Sequence, residues 1–150
     1  FRPSYFSPDQ QYPVIYFMCA TPWIAAVPKA CFHSAKAYAD RHYFYAAALA
    51  ELGFIVLLLD TRGTPLRSKV FLDHSYGWIP SAGNTDDGVS ALQQLVERYS
   101  FMDKNRIGIF CQLYRSALYN FLERQDIYTV CVQMAFADER LMGAFIVEKY

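Results

Sequence analysis

Apolar positions cluster in four short runs separated by stretches of helical spacing. "YPVIYFM", residues 12–18, follows a Pro- and Ser-rich lead-in and is dense in β-formers, which predicts a strand. "FIVLLLD", residues 54–60, is a continuous apolar run ended by an acid, the pattern of a strand buried on both faces. "RIGIF", residues 106–110, and "YTVCVQMAF", residues 128–136, read as a third and a fourth strand. Between them, residues 35–52 are rich in Ala and aromatics at helical spacing and stop at Gly53 in the usual C-terminal manner. Residues 85–99 place Val89, Leu92, Leu95 and Val96 on one helical face, with Thr85 or Asp86 as the expected N-cap. "YRSALYNFLER", residues 114–124, predicts a third helix, and residues 138–150 look helical. Residues 19–34 and 61–84 carry the prolines and glycines of loops, and the second of these is long enough to suggest a functional or unusually structured connection.

Strands alternating with helices make βαβ units. The expected fold class is therefore α/β, a mostly parallel sheet with helices on both faces. In such sheets ligands sit beyond the carboxyl ends of the strands. The loops to watch follow Met18, Asp60, Phe110 and Phe136.

Composition narrows the choice of function. The chain has 150 residues, enough for one domain, and 54% are apolar, with 12 Tyr and 12 Phe giving an aromatic core. The formal charge is zero and no basic stripe is present, which argues against a nucleic-acid partner. No apolar run reaches the roughly 18 to 20 residues of a membrane span. Cys19, Cys31, Cys111 and Cys131 show no C-x-x-C pairing, so no metal site is expected and the four read as small buried hydrophobes. No cofactor-binding motif appears. The chain starts at Phe1 with no signal-peptide pattern, and we expect it to be a portion of a longer protein.

"YPVIYFM" followed by "TP", then "GFIVLLLDTRGT", "SYG", "FMDKNRIGIF", "ADERL" and "EKY" occur in this order at characteristic distances. Together they resemble the catalytic α/β-hydrolase domain of the prolyl oligopeptidase and dipeptidyl peptidase IV family of serine peptidases. The resemblance covers residues 12–150 and implies a partial domain, its first half, over residues 1–150. The spatial strand order it implies is second, first, third, fourth. The family's acid and histidine would lie downstream of Tyr150.

Transferred position by position, the resemblance implies a degenerate active site. The nucleophilic serine falls on Leu113, whose side chain has no group able to attack a carbonyl. The glycines flanking that serine fall on Cys111, Arg115 and Ser116. The tyrosine that donates to the oxyanion falls on Cys19, a weak donor. Two aromatics of the substrate pocket fall on Met142 and Ile146. Tyr114 does match, and its backbone N–H could still serve an oxyanion hole. Ser116, at a helix start, reads as a backbone partner, and Cys111 as inert packing at the end of a buried strand.

Asp60, Arg62 and Gly63 match the family's D-x-R-G turn. They read as a structural loop in which acid and guanidinium order the chain and glycine lets it bend, a reading preferred to substrate contact. Asp86 and Asp87 read as charges complementing a helix dipole. His33, His42 and His74 read as solvent-facing or locally bonded. No catalytic residue is assigned. The expected function is a silent peptidase-like domain kept for structure or for binding peptides or other protein chains, and the alternative is a portion of a working serine peptidase.

Overall fold

The middle of the sheet comes from the first β-rich run. A computed structural model of the chain describes residues 1–18, 22–27, 38–77, 85–114 and 122–137, and only the main chain of 38–41, 112–114 and 133–137. β1 spans Tyr12–Met18. Its side chains alternate between two apolar clusters, Tyr12, Val14, Tyr16 and Met18 in one, Ile15 and Phe17 in the other. A strand with two dry faces has to be internal. It pairs with β2 (Ile55–Leu58) on one side and β3 (Met102–Tyr114) on the other, and β4 (Val130–Ala137) pairs with β3. All three pairings are parallel and the order is β2-β1-β3-β4, as the family resemblance implied.

Among the described residues one long helix packs on each face. α1 (Tyr38–Glu51) lays Ala46, Leu49 and Ala50 against Phe17, Val56 and Phe110. Its small residues let the helix come close to the strands. Gly53, at φ 96°, ends it by donating its N–H to the Ala50 carbonyl at 2.9 Å. α2 (Lys69–Leu72) and a following 3-10 turn (Asp73–Ser75) punctuate the long connection after β2. α3 (Thr85–Arg98) buries Val89 and Leu92 against the opposite face. Gly88 permits that approach: a Cβ there would stand 2.8 Å from Cε1 of Tyr16.

The structure corrects the sequence reading in several places. Thr85 is already helical, so neither it nor Asp86 is the N-cap of α3, and Asp86 and Asp87 occupy its first turn instead. β3 extends well beyond "RIGIF" on both sides. At its start Met102 pairs with Tyr12, and polar residues 103–106 fill a stretch whose register shifts against β1. At its end it keeps pairing with β4 as far as Tyr114, opposite Ala137. Tyr114 is thus the last residue of a strand, not the first of a helix. Residues 122 and 123 close a helical segment, and most of the predicted helix 114–124 and all of the tail 138–150 lie outside the described residues.

On the face that carries α1, the helix packs over β2, β1 and Phe110 of β3. Beside it an apolar groove of about 350 Å³ is lined by Leu49, Phe54, Phe110, Val130 and Val132 among others. Both of these valines are exposed.

Candidate functional site

Between β1 and β3 the direction of the crossovers reverses. From β1 the chain steps to β2 on one side, then passes over β1 to β3 on the other. The crevice beyond the carboxyl ends of these two neighbours is where such a sheet accepts a ligand. Met18 and Cys111 are register partners at its floor, and both are buried. Leu113 lies two residues further along β3, at a shift of register between β3 and β4.

The backbone here stays in strand through Tyr114. Among the described residues the one non-glycine with positive φ is Leu66, so Leu113 does not sit in a left-handed, strained conformation. The physical reason is local. Residues 111–114 all bear a Cβ, which disfavours left-handed backbone, while pairing with β4 resumes at Tyr114 after a shift of register at Leu113. A nucleophile presented for catalysis in this fold class stands on a sharp strand-to-helix turn. Cys19, Ser116, Met142 and Ile146 lie outside the described residues, as do Arg115, Cys31 and His33.

At the end of β2 the side chains do the holding. Oδ1 of Asp60 accepts the backbone N–H of Ala26 at 2.6 Å and of Val27 at 3.1 Å, joining the loop after β1 to the end of β2. Arg62 engages Asp87 on the first turn of α3. Its backbone N–H donates to Oδ2 at 2.9 Å, its Nε lies 3.0 Å from both carboxylate oxygens, and its Nη2 lies 2.7 Å from Oδ1. Burial alone would push the Asp87 carboxyl up, but the bonds from Arg62, together with the charges of Arg62 and His74, outweigh it. They hold the carboxyl below the usual carboxylate range. Those bonds raise the pKa of the guanidinium in turn.

Gly63, at φ 93°, turns the chain where a side chain would strain it. Its N–H reaches the Phe71 carbonyl at 2.8 Å, and its own carbonyl accepts from Ser75 Oγ at 3.1 Å. Thr64 is buried and donates its hydroxyl to the Thr61 carbonyl at 2.8 Å. The sequence singled out Asp60, Arg62, Gly63 and, as a helix-dipole charge, Asp87, but not the bond of Arg62 to Asp87 or that of Ser75 to Gly63. The partner acid carried one usable signal, its place in the first turn of a helix directly after a loop.

The remaining candidates are inert or structural in their surroundings. Cys111 is buried and Cys131 partly so, both without a disulfide, and burial raises the Cys131 thiol pKa. His42 is buried rather than solvent-facing, edge-on to Phe17 at 5.5 Å between centroids, and burial lowers its pKa. Its spacing from Ala46 and Ala50, four and eight residues ahead of it in α1, was the signal for that position. His74 is exposed. Among the described residues no group of three or more His, Cys, Asp and Glu could hold a metal ion, and no helix is long and apolar enough to cross a membrane.

Residues 40–111 match the model of the prolyl oligopeptidase family. These residues belong to that family. Human dipeptidyl peptidase 8 is 30% identical over 134 residues, 88% of this chain but 14% of the relative. The mouse dipeptidyl peptidase 8 is 29% identical over the same shares. The chain thus spans about a seventh of the length of the relatives it matches.

The fold agrees. The acylaminoacyl peptidase of Pyrococcus horikoshii superposes with a TM-score of 0.65 at 15% identity, covering 88% of this chain and 19% of that one. Dipeptidyl peptidase 4 of Porphyromonas gingivalis gives 0.56 at 23% identity, covering 75% and 14%. The parallel sheet flanked by helices is a partial α/β-hydrolase fold.

Proposed function

We propose that this chain is a catalytically silent portion of a prolyl oligopeptidase-family domain, retained as a scaffold and for contacts with peptides or other protein chains. One observation carries the reading. Position 113, where the resemblance puts the nucleophile, is a leucine within an extended strand that pairs on past it. An aliphatic side chain offers no lone pair to a carbonyl carbon, and an extended main chain there does not present its residue as a turn would. The correspondences of Cys19 with the oxyanion donor and of Met142 and Ile146 with the pocket aromatics point the same way. Asp60, Arg62 and Gly63 are then parts of the frame: they bond main chain and helix terminus and need no substrate to account for them.

The alternative, a portion of a working serine peptidase, draws on the names of the relatives, which are dipeptidyl peptidases. A serine-reactive fluorophosphonate probe applied to the full-length protein separates the two. The silent reading expects no labelled peptide within residues 1–150. Stoichiometric, active-site-directed labelling of any residue in this range defeats it.

A further inference from the structure

Among the described residues β2 is an edge strand, and its outer side is occupied in part. The amino group of Phe1 donates to the Val56 carbonyl at 2.8 Å, and the Val56 N–H donates to the Phe1 carbonyl at 3.1 Å. Two residues that exchange both bonds form the hydrogen-bonded pair of an antiparallel ladder. All the other pairings of this sheet are parallel.

Packing holds the pair as firmly as its bonds do. The Phe1 ring meets Tyr43 of α1 edge-on at 5.2 Å between centroids and packs with Phe17, Ala46 and Val56. On the carboxyl side of Phe1 the course of the chain is fixed. Arg2 lies over the rings of Phe6 and Phe101 at 4.8 and 5.2 Å, and Ser4 donates its N–H and its hydroxyl to the Glu51 carboxylate at the end of α1. The amino side of an antiparallel partner points towards the carboxyl end of β2. Burial along β2 changes at that point: Ile55 and Val56 are 3% and 0% exposed, whereas Leu57 and Leu58 are only partly buried.

We propose that the outer edge of β2, from Val56 to Leu58, receives the stretch of the protein immediately preceding Phe1 as an added antiparallel strand. Its register follows from the Phe1–Val56 pair. The residue just before Phe1 stands opposite Leu57 as a non-hydrogen-bonded pair. The one before that stands opposite Leu58 and exchanges both bonds with it, because Leu58 directs its N–H and carbonyl to the same side as Val56. Side chains alternate across a sheet. The second of these residues therefore joins Phe1 and Leu58 on the face of α1, and the first joins Leu57 on the face of α3, so both positions call for apolar side chains. The strand goes little further, since Asp60 turns inward to the main chain of residues 26 and 27. Two strands separate this edge from Leu113 on β3, and the proposal is independent of whether position 113 is silent.

Hydrogen exchange on the unsubstituted full-length protein tests the register. The N–H groups of Leu58 and of the residue two before Phe1 should exchange about a hundredfold more slowly than in an unfolded peptide, and that of the residue just before Phe1 should not be slowed in this way. Exchange of the Leu58 N–H at the unfolded rate overturns the proposal. A disulfide trap tests the occupant. A non-hydrogen-bonded pair brings its Cα atoms to about 4.5 Å, within the span of a disulfide. Leu57→Cys, combined with a cysteine substituted for the residue just before Phe1, should therefore cross-link within one molecule on mild oxidation. The same Leu57→Cys with the cysteine moved one residue earlier should not, because that side chain lies on the other face. A slowed Leu58 N–H without slowing at the residue two before Phe1 assigns the edge to another segment or another molecule and overturns the proposal, as does a cross-link that forms only between molecules.

Discussion

The carboxyl ends of β2 and β3 lie on the same edge of one sheet and are built by different means. At the end of β2, side chains carry the structure: Asp60 holds the main chain of residues 26 and 27, Arg62 grips Asp87, and Ser75 closes on Gly63. At the end of β3, pairing of main chain with main chain carries it, as far as Tyr114 opposite Ala137. In both places the described bonds run between parts of the chain itself, through side chains at the end of β2 and through main chain at the end of β3.

The sharpest way to break the contrast is to try to put chemistry back at the end of β3. Leu113→Ser in the full-length protein should leave peptide hydrolysis at background, a shortfall of about a millionfold from a working triad, because on the proposed reading Cys111, Arg115 and Ser116 still stand for the glycines of a catalytic turn and Cys19 for the oxyanion donor. Turnover clearly above background would show that the extended strand can convert to a catalytic turn.

At the end of β2 the effects should appear in stability. Asp60→Ala removes a charged acceptor from two backbone N–H groups and should cost about 3 kcal/mol in denaturant unfolding. A loss near zero would mean that water replaces it without penalty. Gly63→Ala forces a Cβ onto a left-handed backbone and should cost about 1–2 kcal/mol.

Far from both strand ends, Tyr128 is a control. Its ring is buried and its hydroxyl has no hydrogen-bond partner among the described residues, so Tyr128→Phe should stabilise the chain by about 1 kcal/mol. Burial pushes the phenol pKa up to about 12 from 10.0. A raised folded-state pKa means that the stability linked to this group is whole below pH 10, falls between about 10 and 12, and should lose that alkaline slope in the Phe variant.

The smallest effect belongs to Asp87→Asn. The depressed carboxyl contributes stability above its unfolded-state pKa and loses it as pH falls through the lower folded value. The variant should therefore be modestly less stable at neutral pH and equal to the parent in strong acid, read by thermal melts across acid pH. An equal deficit at every pH would assign the effect to packing.

How much was legible in the residues differs between fold and site. β1 was readable because β-formers run uninterrupted after a proline-rich lead-in, and α3 because Val89, Leu92, Leu95 and Val96 repeat at helical spacing. The full length of β3 was not, because residues 103–106 are polar, with 104–106 exposed, at a shifted register, which no local pattern of apolar residues reveals. The N-cap of α3 was misplaced by at least one residue, since Thr85, Asp86 and Asp87 suit both a cap and a first turn.

At the site, the leucine at position 113 and the D-x-R-G turn were visible as residue identities. What these residues bond to was not visible, because Asp60 reaches 34 positions back to Ala26 and Arg62 25 positions on to Asp87.

Residue identity by itself determined the α/β class and the absence of a nucleophile at Leu113, because side-chain period and side-chain chemistry are local properties. Only the tertiary structure decided that β3 continues past that position with a shift of register, that Asp60 and Arg62 brace main chain and helix, and that Leu66, Val70 and Tyr76 are exposed. Those outcomes depend on which distant segments meet, and pairing between strands and bonds between loops are long-range terms that no short window of sequence contains.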